Sequence, residues 1–241
     1  MRKKLGSSLL IFLLLVLSPG FAQANRALLE QVQIVLSGRE EEAWAQAWDL
    51  LRKTEENSRD EEILCLLAEV SFNYGDWLDK PENISLWEEG YSYAQKAVNL
   101  NPGSPRAHYW SAVLLGKIGR AQGILRSLFL VDPILERLNL VLELDSEYSW
   151  AYYALSQMYG QMPGSPLGRG DRAKALAYAE RAWELEPEEA EFSLLYAELL
   201  TKGREKEKAL LVLEKALERP FQPWEEHLRD KLEKLRDSLG V

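Results

Sequence analysis

The segment YAQKAVNLNP at residues 93–102 recurs as YAERAWELEP at 178–187 and as VLEKALERP at 212–220. A fourth segment, RLNLVLELDS at 137–146, fits the same frame with serine in place of the proline. Each segment has the apolar spacing of an amphipathic helix and ends at a residue that stops a helix or prefers a cap. The end points are 44, 41 and 33 residues apart. Such periods indicate stacked helical hairpins.

A second predicted helix precedes each of these segments, at residues 64–77, 107–120, 151–161 and 191–204. Small residues stand at equivalent positions of the two helices, where they allow close approach of the partner helix. These residues are Ala68, Ala112, Ser156 and Ala197 on the first helices, and Ala97, Ala182 and Ala216 on the second. A glycine is expected to end each first helix, as helix C-termini favour. The four glycines are Gly75, Gly119, Gly160 and Gly203.

This order of small residue, glycine turn, alanine and closing proline resembles the tetratricopeptide repeat (TPR) over residues 60–220. The resemblance implies an all-α fold, a right-handed superhelical solenoid of antiparallel helix hairpins. Residues 26–56 resemble a degenerate first hairpin, and residues 223–239 have the composition of a polar C-terminal capping helix, which solenoids need for solubility. We therefore expect one TPR-like domain over residues 25–241.

Residues 1–24 have the pattern of an export signal. Basic residues at positions 2–4 precede an apolar run at 9–17, and Ala22-Gln23-Ala24 is a small-x-small cleavage site. The alternative is an uncleaved anchor, but the run is about half of the ~20 residues that a spanning helix needs. No cysteine follows the run, as a lipoprotein would require. The sequence therefore predicts an exported, soluble, periplasmic protein.

Charge and composition exclude several partner classes. The chain has 241 residues, a hydrophobic content of 46% and a formal net charge of -9, so it suits a packed core and repels nucleic acid. It has no block of Lys and Arg beyond the first four residues, which argues against binding to anionic lipid. The lone cysteine, Cys65, lies in an apolar helical run and is expected to be buried.

Residues suited to catalysis are scarce. The two histidines, His108 and His227, are 119 positions apart, and no metal-binding or Cys-His motif is present. The segment Gly168-Arg169-Gly170-Asp171 lacks the Lys-Ser/Thr ending of a phosphate-binding loop. Asp171 is better interpreted as the N-cap of a following helix. We expect no enzyme activity, no cofactor and no metal site.

Binding is expected on the concave face that the first helices of TPR hairpins line. The family frame places six residues of the middle hairpins on that face: Arg106, Tyr109, Val113, Trp150, Tyr153 and Gln157. Glu62, Glu69, Glu191 and Glu198 extend it at the two ends. Aromatic side chains suit recognition, and an arginine can pair with a carboxylate. The alternative is that these aromatic rings only pack between hairpins.

The insert MPGSPLGRGDRAKAL at residues 162–176 resembles a loop of the TPR component associated with tripartite ATP-independent periplasmic (TRAP) transporters. That resemblance implies an accessory role in solute uptake, with a periplasmic solute-binding protein as partner and an apolar or carboxylate ligand. The alternative is a general scaffold for cell-envelope assembly or protein–protein interaction, with no small-molecule role. Self-association is compatible with both hypotheses.

Overall fold

The structure is a computed structural model that describes residues 19–37, 40–53, 60–164 and 168–240. These ranges hold eleven α-helices and no β-strand; one backbone bridge joins Gly164 and Gly170. Of the expected signal segment at residues 1–24, residues 1–18 lie outside these ranges, and the expected cleavage site falls within the first helix. Nowhere in these ranges is a helix both long and apolar enough to cross a bilayer.

The described residues of the first compact unit, up to Leu100, form four helices. They are α1 (Pro19–Leu36), α2 (Glu41–Arg52), α3 (Glu61–Tyr74) and α4 (Glu82–Leu100). Each helix packs against the next, and the α3–α4 pair forms the most extensive contact. The Trp87 indole N–H donates to the Phe72 carbonyl over 3.2 Å, and the Trp48 ring meets Tyr93 edge-on at 6.1 Å. These contacts join α3 to α4 and α2 to α4.

In the second unit, from Asn101, the part that the structure describes forms seven α-helices. They are α5 (Pro105–Ala121), α6 (Ile124–Leu144), α7 (Ser149–Gln161), α8 (Arg172–Leu185), α9 (Ala190–Lys202), α10 (Lys206–Glu218) and α11 (Glu226–Ser238). A 3₁₀ turn, Pro223–Glu225, precedes α11. The helices pair as α5–α6, α7–α8 and α9–α10, and α11 packs on both α9 and α10. The predicted all-α fold of antiparallel hairpins is confirmed.

Small side chains make the close pairing of helices possible. Ala68, Ala112, Ser156 and Ala197 are all fully buried, as the repeat frame predicts. The Ser156 hydroxyl also donates to the Ala175 carbonyl over 2.8 Å, which satisfies a buried polar group and ties α7 to α8. A larger side chain at these positions would separate the paired helices.

The prediction that glycine ends each first helix is correct for two of the four helices. Gly75 and Gly203 follow α3 and α9 as their C-caps. Gly119 and Gly160, in contrast, lie inside α5 and α7. Helix α5 continues to Ala121 because the conformational break comes later, at Gly123, whose φ of 106° favours glycine.

Backbone hydrogen bonds hold the two described ends of the loop before α8, residues 162–164 and 168–171. The Gly170 N–H donates to the Pro163 carbonyl over 2.9 Å, and the Asp171 N–H donates to the Tyr159 carbonyl over 3.0 Å. The Asp171 carboxylate accepts from the N–H groups of Ala173 and Lys174, both at 3.0 Å, so its predicted role as an N-cap is confirmed. Cys65 is buried, as expected.

Replacing Asp171 with alanine should lower the free energy of unfolding by about 1 kcal/mol, because two N–H groups of α8 lose their acceptor. Urea unfolding followed by circular dichroism measures the change. Asp171→Asn is the matched control, since the asparagine side chain keeps an acceptor oxygen and should cost only a few tenths of that amount. Equal losses in the two variants would contradict the capping role.

Candidate functional site

A pocket of about 270 Å³ lies among α7, α9 and α11 of the second unit. Three helices contribute its lining, and each contributes residues that the 3.6-residue period places on one face. Those residues are Tyr153 and Gln157 from α7; Glu191, Leu194, Leu195 and Glu198 from α9; and His227, Leu228 and Lys231 from α11. Six of these nine side chains are polar or ionisable, so the pocket suits a polar or charged group more than a purely apolar one.

Buried aromatic packing holds α7 against α9 below the pocket. Phe192 on α9 is buried, and its ring centroid lies 4.8 Å from that of Trp150 and 5.2 Å from that of Tyr153. Trp150 and Tyr153 also meet edge-to-face at 5.5 Å. Because offset and edge-on ring contacts restrict rotation, this cluster fixes the direction of the Tyr153 side chain.

The position of α11 is set by a partly buried ion pair. Arg219, at the end of α10, contacts the Glu225 carboxylate at 2.6 Å, and both side chains are largely shielded from solvent. The same carboxylate accepts from the Gln222 N–H at 2.9 Å, which completes a capping box. Leu228 and Leu232 are buried in the core cluster of α9 and α10. These contacts place His227 and Lys231 at the pocket.

The electrostatic field at the α7–α9 side of the pocket is negative. Burial raises the pKa of the Tyr153 hydroxyl far above its ordinary value. The negative charge of Glu191 and its hydrogen bond to the phenol raise that pKa further, and Glu189 and Glu198 act in the same direction. Tyr153 therefore remains protonated at neutral pH and donates its hydroxyl hydrogen to the Glu191 carboxylate.

This pKa shift predicts a loss of stability in alkali. A raised folded-state pKa contributes stability that is complete below the unfolded pKa near 10 and is lost as the pH rises above it. Between pH 10 and 11, Tyr153 should account for about 1 kcal/mol of that loss. Urea unfolding of wild type and Tyr153→Phe at both pH values measures it, with their difference at pH 7 as the baseline. An equal decline in the two proteins would contradict the assignment.

Three polar groups at the pocket are available to a ligand. The side chains of Gln157 and Glu198 form no hydrogen bond or ion pair with the part of the chain that the structure describes. The same is true of Lys231 on the α11 side. Carboxylates therefore lie on one side of the pocket and a cationic group on the other.

The structure brings two of the six expected binding residues, Tyr153 and Gln157, to this pocket. Trp150 lies next to it, in contact with Tyr153. Arg106, Tyr109 and Val113 lie on α5, outside the lining. Tyr109 is buried between Trp110 and Tyr148, with ring centroids 5.1 and 5.2 Å away. At Tyr109 the aromatic ring thus packs within the helix array, as the alternative interpretation holds.

The sequence frame also placed Glu191 and Glu198 on the inner face, and both line the pocket. The repeat frame did not predict that His227 or Lys231 would line the site, because α11 was interpreted only as a polar capping helix. Leu228 and Leu232, four residues apart, are the signal that one face of α11 docks on the array. His108 is buried, and its Nε2 donates to the Pro102 carbonyl over 2.9 Å.

Two family models match the chain. Residues 28–160, more than half of the sequence, match the model of regulator of microtubule dynamics protein 1-3. The chain belongs to this family. Residues 167–227 match a tetratricopeptide repeat model, which confirms that the chain is a TPR protein. The α7 residues of the pocket fall in the first match, and the α9 residues fall in the second. No curated protein sequence matches the chain.

Solved structures share the fold at low sequence identity. A thermophilic TPR protein of Thermus thermophilus is 18% identical, with a TM-score of 0.66 over 86% of this chain and 98% of that one. PilF of Pseudomonas aeruginosa is 20% identical, with a TM-score of 0.56 over 90% of each chain. MamA of Desulfovibrio magneticus RS-1, from residue 41 to its end, is 17% identical, with a TM-score of 0.50 over 90% and 97%. These likenesses support the TPR fold.

Proposed function

We propose that the chain is a non-catalytic TPR scaffold that binds a partner protein, and that the pocket receives a basic side chain of that partner. The pocket carries the proposal, because the carboxylates of Glu191 and Glu198 converge where the repeat frame places the binding face. A lysine or arginine side chain could donate to Glu191 and Glu198, and such charge-assisted hydrogen bonds are stronger than neutral ones.

The α11 side of the pocket gives the partner a preferred orientation. Lys231 would repel a second basic group and attract an acidic one, so a basic residue close to an acidic residue suits the pocket. The carboxylate ligand expected from the sequence would accordingly bind near Lys231 and not near Arg106, which lies outside the pocket.

Photo-crosslinking in cells of the source organism tests this proposal. A photoreactive amino acid at Gln157 should crosslink a protein partner, whereas the same residue at exposed Glu214 on α10 should not. When Glu191→Gln and Glu198→Gln are combined with the photoreactive residue at position 157, the yield of crosslinked partner should fall at least tenfold. Both substitutions remove a charge and keep the size of the side chain. A Gln157 crosslink that is unchanged by the double substitution, or that appears equally at Glu214, would refute it.

The narrower role as a TRAP accessory depends on the loop at residues 162–171. The Asp171 N–H bond to the Tyr159 carbonyl and the ion pair of Arg169 with Asp132 at 2.6 Å hold the C-terminal end of this loop against α7 and α6. Under this hypothesis, mass spectrometry of the Gln157 crosslink identifies a periplasmic solute-binding protein. Recovery of an envelope-assembly protein would favour the general scaffold instead.

The family's name supplies a second candidate, a regulator of microtubule dynamics, on the strength of the match over residues 28–160. Co-sedimentation with polymerised tubulin tests that candidate. N-terminal sequencing of the protein from cells separates the two: an N-terminus at Asn25 would follow export and cleavage after Ala24. An intact Met1 together with tubulin binding would favour the microtubule role.

A further inference from the structure

The turn between α5 and α6 presents an exposed apolar surface. Ile124, Leu125, Leu128 and Phe129, here called the α6 tip, are exposed by 81, 75, 53 and 78%. They occupy the first two turns of α6, directly after the turn at Gly123. Single exposed apolar residues are ordinary, but four in six positions form a contiguous patch, which marks an interaction site.

The α6 tip is exposed because the buried stripe of α6 begins beyond it. Ile134, Leu135, Leu138 and Val141 are buried between α5 and α7, whereas no residue from 124 to 129 is buried. The first two turns of α6 therefore extend past the core that holds the rest of the helix. Their apolar side chains lie largely outside the packed core of the hairpin.

The charge around the α6 tip is opposite in sign to that of the whole chain. The chain carries 38 Asp and Glu against 29 Lys and Arg, yet residues 101–131 contain no acidic residue. Arg120 lies near the end of α5 and Arg126 lies between the apolar residues of the tip. Both are exposed, and neither forms an ion pair with any residue that the structure describes. The first acidic residue after this stretch, Asp132, is neutralised by Arg169.

The exposed area is small for a stable protein interface. Four side chains exposed by one half to four fifths offer roughly 500 Å², whereas each partner of a stable dimer contributes about 800 Å². An apolar helix end flanked by cations instead matches the interfacial zone of a bilayer, where apolar side chains insert among acyl chains and basic ones meet anionic headgroups.

We propose that the α6 tip inserts into the surface of an anionic lipid bilayer, with Arg120 and Arg126 at the lipid phosphates. From the sequence alone, binding to anionic lipid was not expected, because the chain has no block of basic residues beyond the first four positions. The structure brings two dispersed arginines to one corner of the fold, beside four apolar side chains. This docking is independent of the pocket and of its partner.

An environment-sensitive fluorophore on Leu128→Cys of the full chain tests the proposal. The natural Cys65 is buried and does not compete for the label. Vesicles of phosphatidylcholine with phosphatidylglycerol should shift the emission to the blue, and phosphatidylcholine alone should shift it far less. The matched control, Leu211→Cys on α10, carries the label at another exposed leucine and should not respond.

Two further variants separate the contributions to binding. Arg120→Gln with Arg126→Gln should weaken vesicle binding about 25-fold, at roughly fivefold for each charge near an anionic surface. Leu125→Ser with Phe129→Ser should weaken it by about tenfold or more. Both variants carry the label at position 128, which responds only when the tip enters the bilayer. Binding through the apolar segment at residues 9–17 would leave its emission unchanged.

Three results would overturn the proposal. In the first, the chain binds vesicles while the label at position 128 stays silent, so another segment holds the membrane. In the second, the emission shifts without lipid and follows protein concentration, so a second copy covers the tip. In the third, the label is blue-shifted at every protein concentration without lipid, so a segment of the same chain covers the tip.

Discussion

Replacing Phe192 with alanine should lower the free energy of unfolding of the second unit by about 3–5 kcal/mol. The ring is 1% exposed and packs against Trp150 and Tyr153 under the pocket. Truncation removes the transfer free energy of a phenyl ring and leaves a cavity that two rigid aromatic neighbours fill poorly. Urea unfolding followed by tryptophan fluorescence and circular dichroism measures the loss.

Phe129→Ala is the matched control for this experiment. It makes the same chemical change in the same unit, at a side chain that is 78% exposed. Its free energy of unfolding should stay within about 0.5 kcal/mol of wild type, as surface substitutions usually do. A loss below about 1 kcal/mol for Phe192→Ala, or equal losses in the two variants, would show that Phe192 is not part of a tightly packed core.

Replacing Gly75 with alanine should lower the free energy of unfolding of the first unit by about 2–4 kcal/mol. An added Cβ would lie within 2.8 Å of two carbons of the Trp87 ring and closer still to its nitrogen. The ring is 6% exposed, and its N–H bonds to the Phe72 carbonyl. The indole must therefore move, which breaks that hydrogen bond and the packing of α3 on α4. Thermal and urea unfolding measure the loss.

A double-mutant cycle tests the stated cause. Trp87→Leu opens space beside residue 75, so Gly75→Ala should cost much less in that background than in wild type. Gly116→Ala is a second control, because its Cβ would find Ile134 at an ordinary 3.8 Å inside a helix. That variant should be neutral or more stable by up to about 1 kcal/mol. Equal costs of Gly75→Ala in both backgrounds would refute the clash with Trp87.

The helix hairpins could be predicted from the sequence because their apolar period and their small residues act locally. Ala68, Ala112, Ser156 and Ala197 are buried wherever the first helix of a hairpin meets its partner. The helix ends were harder to predict. Gly119 resembles a terminating glycine, but a glycine inside a helix costs only about 1 kcal/mol, and α5 continues for two residues beyond it.

The binding face was predictable in part. The repeat frame placed Tyr153, Gln157, Glu191 and Glu198 on one side, and all four line the pocket. The same frame applied to α5 named Tyr109, whose ring is buried against Tyr148 from the segment before α7. Periodicity gives the face on which a side chain lies, but it does not show which other segment covers that face.

The α11 side of the pocket depends on tertiary packing that no local pattern reports. His227 and Lys231 reach the site only because Leu228 and Leu232 dock on α9 and α10. The Arg219–Glu225 pair then sets where the helix starts. From the sequence alone, α11 has the composition of a charged surface helix.

The docking of α11 also limits how the gene could grow by internal duplication. Helix α11 already occupies the side of α9 and α10 where an additional hairpin would stack. An extra repeat inserted after α10 would carry His227 and Lys231 away from Glu191 and Glu198 and divide the pocket. A repeat inserted before α7 would leave all three contributing helices together. Among homologous proteins, additional repeats should therefore be found before Ser149 and not after α10.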